Sequence, residues 1–192
     1  KGSLGRRFTW SISSPDSNFE DALKIFLTKD KPSWSLDLKI NEEQKLWEFR
    51  NWKASSKKAW NLAKMIKEHH LPDYVESLKV TLMTTQISQF EGVSIKPGIY
   101  GGLSHDIGKT KIPVGILQRS YAGEYSPEDH ETMKQHSLYG RDILWENGFL
   151  FTGFVVYLIH SSQGTNSYPL EEPQWPPKFS EKTRELVRAT AR

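Results

Sequence analysis

The chain has 192 residues and a formal net charge of +3, with 26 Lys and Arg against 23 Asp and Glu. So mild a balance gives no electrostatic ground for nucleic-acid binding. Cysteine is absent, which excludes disulfides and thiolate metal sites, so any metal must be held by nitrogen and oxygen. The length suits one domain with a small appendage and is enough to bury a sizeable core.

Phe8, Trp10 and Ile12 alternate with polar residues at strand spacing, as do Trp34, Leu36, Leu38 and Ile40. Between them Ser17 is placed to cap a short helix over residues 18–29, with Phe19, Leu23, Phe26 and Leu27 on one face. Residues 1–40 are therefore expected to form a small β-containing segment. Asn41 caps a long helical stretch, and Glu42 and Glu43 suit the positive end of its dipole. Leu46, Phe49, Ala59, Ala63 and Ile66 carry that stretch to residue 68, so residues 41–70 are expected to be a connecting helix. Its tryptophans, Trp47, Trp52 and Trp60, are read as packing.

Residues 71–192 are expected to form a helical domain. Pro72 breaks the helix across residues 69–72, and a new one is expected over residues 73–90, with Val75, Leu78, Leu82 and Ile87 on its apolar face. A buried helix follows over residues 99–107, stopped by Ile112-Pro113, and Gly115-Ile116-Leu117 begins another short one. Ser126-Pro127-Glu128-Asp129 is a helix start with cap, proline and acids in place. That helix carries Met133, His136 and Tyr139 and ends at Asn147-Gly148. Residues 149–160 are nearly all apolar and read as a buried helix, too short to span a bilayer. A proline-rich loop over residues 161–177 precedes a last helix capped by Ser180.

The chemistry centres on His105-Asp106, followed by Ile107-Gly108-Lys109. A neutral imidazole and an adjacent carboxylate can share one divalent ion or bridge two. Gly108 permits a tight turn behind them, and Lys109 supplies a cation that could meet a phosphate. His69, His70 and His130 are read as surface residues, with His69 and His70 near enough to be recruited.

The order His105-Asp106, His136, His160 resembles the HD superfamily of metal-dependent phosphohydrolases. Residues 105–109 with Ile112-Pro113 and Ile116-Leu117 are similar to the signature of its HD-GYP branch, the cyclic di-GMP phosphodiesterases. Residues 126–136, Gly140 and Ile143-Leu144 resemble that branch's next helix, and Ser167-Tyr168-Pro169 stands where the branch has Gly-Tyr-Pro. The resemblance implies an HD-type helical bundle holding iron, manganese or magnesium on His105, Asp106, His136 and His160. Glu76 stands where the superfamily has a histidine one helix earlier, which makes it a candidate oxygen ligand of the metal. It implies catalytic roles for Asp106 and Lys109, substrate contacts from Lys109 and Tyr168, and a small nucleotide as substrate.

The chain also departs from the pattern. Ser161 replaces the second histidine of a His-His pair, Ser167 replaces a glycine, and no Asp follows Asp142. A domain of the same fold that has lost its turnover, kept for signalling or binding, is therefore the alternative expectation. A homodimer in the cytoplasm is expected, with no membrane span in this stretch. The absence of a signal-peptide pattern after Lys1 reads as a piece of a longer protein.

Overall fold

The computed structural model describes residues 52–90, 95–161, 168–169, 173–177 and 179–191. They are mainly helical, with no strand among the described residues. The expected strands at residues 8–12 and 34–40, the helix over 18–29 and the first part of the long helix lie outside them.

Helix α1, Trp52–His69, buries Ala59, Leu62, Ala63 and Ile66, the helical repeat that the sequence displays. Lys67 and His69 sit in its last turn, where the dipole favours cations. Helix α2, Leu71–Phe90, begins after a break of a single residue, His70. The expected interruption across residues 69–72 thus shrinks to that residue. Pro72 fits inside the first turn of α2, whose N–H groups have no intrahelical acceptor to lose. The His70 amide donates to the Ile66 carbonyl at 2.8 Å, so hydrogen bonding continues across the joint.

Helix α3, Ile95–Ser104, packs along α2. At the crossing a Cβ on Gly102 would lie 2.5 Å from the Thr81 Cα, so only glycine permits the approach. The buried helix expected over residues 99–107 instead ends at Ser104. A turn at His105-Asp106 and a 3-10 segment, Ile107–Lys111, follow it. Helix α4, Val114–Ala122, follows Pro113 and closes on Gly123, at φ 75°.

Helix α5, Pro127–Glu146, opens on a capping box in which the Asp129 amide donates to Ser126 Oγ at 3.1 Å. Arg119 from α4 grips the Asp129 carboxylate through Nε at 2.8 Å and Nη2 at 2.6 Å. Ser126→Ala is expected to lower stability by about 1 kcal/mol. A denaturant titration that finds the variant equal to the parent would refute the cap's contribution.

Helix α6, Leu150–Leu158, is buried along its length except at Leu150. It leads to α7, Glu181–Ala191, through an aromatic cluster. Phe154 lies 4.8 Å from Trp145, 4.7 Å from Trp175 and 5.3 Å from Phe179, ring centre to ring centre. Arg141 covers Trp145 and Tyr157, and Arg188 covers Trp175.

The main core joins α1, α2 and α3 to Ile107, Ile143, Leu144, Phe149 and Val156. The long first helix is thus packed into the same core as the helices that follow it. Each such fully buried large side chain contributes about 1.5–3 kcal/mol. Ile107 lies between the His105-Asp106 turn and α5, so burying it seats the turn against the helix that carries His136. Among the described residues no helix is long and apolar enough to cross a membrane.

Candidate metal centre

Three structural units deliver four side chains to one place. His105 and Asp106 come from the turn after α3, His136 from the middle of α5, and His160 from the turn after α6. The first three are buried, and His160 is half-buried. His105 Nε2 lies 3.2 Å from Asp106 Oδ2, and His136 Nε2 lies 3.8 Å from Asp106 Oδ1. His136 Nε2 and His160 Nε2 face each other at 3.2 Å. His105 and His136 thus stand at the Asp106 carboxylate, and His160 joins the group through His136.

Backbone carbonyls fix how two of these rings are protonated. His105 Nδ1 lies 2.9 Å from the Gly102 carbonyl oxygen, and His136 Nδ1 lies 2.7 Å from that of Met133. A carbonyl oxygen only accepts, so each Nδ1 carries the proton. In the neutral rings, Nε2 is then a bare lone pair pointing at Asp106 or at His160. Metal-bound histidines are oriented in this way, with the far N–H spent on a carbonyl.

A lone pair facing a carboxylate oxygen is repulsive unless a cation stands between them. A proton can fill that role at His105. Burial works against its imidazolium, but the Asp106 carboxylate outweighs this and raises its pKa above the ordinary value. At His136 burial dominates and lowers the pKa, with Asp106 opposing. The Asp106 carboxyl is held far below the usual range: burial would raise it, but His105, Lys109 and His136 together prevail. A metal can fill the same role. Two imidazole nitrogens bonded to one ion at about 2.1 Å stand roughly 3.0–3.4 Å apart for octahedral to tetrahedral angles. The His136–His160 spacing of 3.2 Å falls in that interval. Imidazole nitrogens with a carboxylate form a donor set that fits iron or manganese, and the carboxylate also suits magnesium.

Lys109 is not free in this arrangement. Its ammonium lies 2.9 Å from Asp106 Oδ2 and 3.0 Å from Asp73 Oδ1, and these carboxylates raise its pKa against the pull of burial. Asp73 was visible in the sequence only as a helix-start residue, yet it is fully buried. His70 Nδ1 donates to its Oδ2 at 2.7 Å, and the Tyr121 hydroxyl donates to its Oδ1 at 3.2 Å. His70, expected at the surface, is 9 % exposed and belongs to this second polar network.

Tyr168 stacks on His160, with ring centres 4.7 Å apart and planes 25° from parallel. It also meets His136 edge-on at 5.9 Å, and burial pushes its hydroxyl pKa up to about 12. Glu76 is not brought to the group: it is exposed, with its carboxylate 3.4 Å from Lys79 Nζ. His69 Nε2 donates to the Ile112 carbonyl at 2.9 Å, and His130 packs on Tyr125. Among the described residues no three His, Asp or Glu side chains stand in a finished metal-holding arrangement. The contacts run instead as a chain of pairs, with Lys109 occupying one carboxylate oxygen. No family model, curated protein or solved structure matches the chain.

Proposed function

We propose that the chain is a metal-dependent phosphohydrolase of the HD/HD-GYP type, built on an HD-type helical bundle and acting on a phosphodiester such as a cyclic dinucleotide, cyclic di-GMP among them. One observation carries this reading: His105 and His136, each with Nδ1 on a backbone carbonyl, turn Nε2 toward Asp106, and His160 Nε2 stands 3.2 Å from that of His136. His105, Asp106, His136 and His160 would hold the ion. When bound, it would supply an activated water and an electrophilic hold on phosphate oxygens.

The chain's own residues do the rest. The Gly102 and Met133 carbonyls hold the imidazoles in their ligand tautomer. Burial of Asp106 strengthens its attraction for any cation by excluding water. Tyr168 covers one face of His160 and shields it from solvent. Lys109, once released from Asp106, would carry positive charge to a phosphate beside it.

The test is the metal content of protein purified without chelators, followed by turnover of cyclic di-GMP with manganese or iron supplied. Bound metal is expected in the parent and its loss in His105→Ala; equal content in both would refute the reading. Uptake is also expected to weaken as pH falls, because protons compete for the same Nε2 atoms. Affinity unchanged between neutral and mildly acidic pH would count against these ligands.

A second reading has its own support. Glu76 is turned to solvent, and Lys109 is seated on Asp106. Both favour a domain of the same type that has lost turnover and serves as a binding or signalling module. Metal uptake without hydrolysis would select it.

A further inference from the structure

Lys109 has two seats. Its ammonium stands 2.9 Å from Asp106 Oδ2 and 3.0 Å from Asp73 Oδ1, nearly equal distances to two buried carboxylates from different elements. Asp106 has a further task in the metal-site reading, whereas Asp73 has none. Its Oδ2 is spent on His70 and its Oδ1 on Lys109 and Tyr121, and it touches none of the four grouped side chains except through Lys109.

A lysine seated on a metal ligand is a competitor for that ligand. The ammonium and a divalent ion both seek Asp106 Oδ2, and expelling a buried ammonium with no other counter-ion is strongly unfavourable. A second carboxylate already in contact removes most of that cost. We propose that Asp73 is the reserve counter-ion of Lys109, a positioning residue that takes the ammonium as Asp106 takes up a metal. This inference rests on the metal-site reading above. His70 and Tyr121 keep the reserve seat in place by hydrogen bonds to both Asp73 oxygens, so the carboxylate does not turn away when Lys109 moves. The exchange needs only a small shift of one side chain, since the second seat is already occupied in part.

The experiment is a double-mutant cycle on the full chain, with Mn2+ affinity read by isothermal titration and folding checked by circular dichroism. Asp73→Asn keeps the size of the side chain and removes its charge. It is expected to weaken Mn2+ binding about tenfold or more, because Lys109 then stays on Asp106. Lys109→Met is expected to bind Mn2+ at least as tightly as the parent, since the competitor is gone. The double variant is expected to recover to within about threefold of the parent.

Recovery is the decisive sign, because removing Lys109 cannot repair a purely structural defect at Asp73. A double variant as weak as Asp73→Asn overturns the proposal, and so does an Asp73→Asn that binds like the parent. Should Asp73→Asn not fold, Lys109→Met alone decides, and a tenfold loss there overturns the proposal. A parent chain that takes up no Mn2+ overturns the metal-site reading itself, and the role of Asp73 with it. Parent binding with an unresponsive Asp73 overturns only the latter.

Discussion

Asp106→Ala is expected to strip the chain of divalent metal and to lower its stability by about 3 kcal/mol at neutral pH. The carboxylate is 3 % exposed and is the common neighbour of His105, His136 and Lys109, so one substitution breaks every link in the group except His136–His160. The stability cost lies at the low end for a broken buried pair because Asp73 keeps part of the partnership with Lys109. The pH dependence follows from the direction of the shift. A carboxyl whose pKa is depressed on folding stabilises the protein above its unfolded value of about 4, and that contribution fades as the pH falls below it. Parent and variant are therefore expected to differ most at neutral pH and to converge in acid. Denaturant titrations at neutral and acidic pH, beside elemental analysis, check both halves. A difference that grew on acidification would exclude an ionised Asp106 as the source.

Gly108→Ala is expected to cost about 3 kcal/mol or more and to disturb the site with the fold. A Cβ at this position would run into the His136 carbonyl oxygen and stand 2.5 Å from the Gly140 amide nitrogen and 2.7 Å from the His136 carbonyl carbon. All of these are backbone atoms, so no side chain can swing aside. The 3-10 segment after His105-Asp106 would have to lift off α5, and His136 would separate from Asp106. Thermal unfolding measures the cost; a variant as stable as the parent would mean that the two backbones do not touch. Gly140→Ala serves as a milder comparison, since its added Cβ would meet the Val156 methyl at 2.9 Å.

These two sites show which features the sequence displayed. His105, Asp106, His136 and His160 stood out because their order and flanking residues resemble the motifs of a known superfamily. The capping box at Ser126 fixed the register of α5, and with it the direction of His136. Asp73 and His70 gave no such sign. An acid in the first turn of a helix is ordinarily a solvated dipole partner. Its burial here depends on α4 and the 3-10 segment, which bring Tyr121 and Lys109 to it from distant parts of the chain. Glu76 erred the other way. Its match was one of position in a motif, and position does not decide which side of α2 faces the site. The end of α3 was misjudged for a related reason. Ile107 is as apolar as a helix interior requires, but Gly108 packs against α5 only if the chain has already turned at His105-Asp106.

The aromatic cluster around Phe154 has a practical consequence. Trp145 and Trp175 both lie against that ring, one on α5 and the other on the segment that leads into α7. Their emission colour reports whether the last helix is docked, since release of α7 would wet both indoles. A red shift of tryptophan emission is thus the expected sign that the C-terminal end has detached.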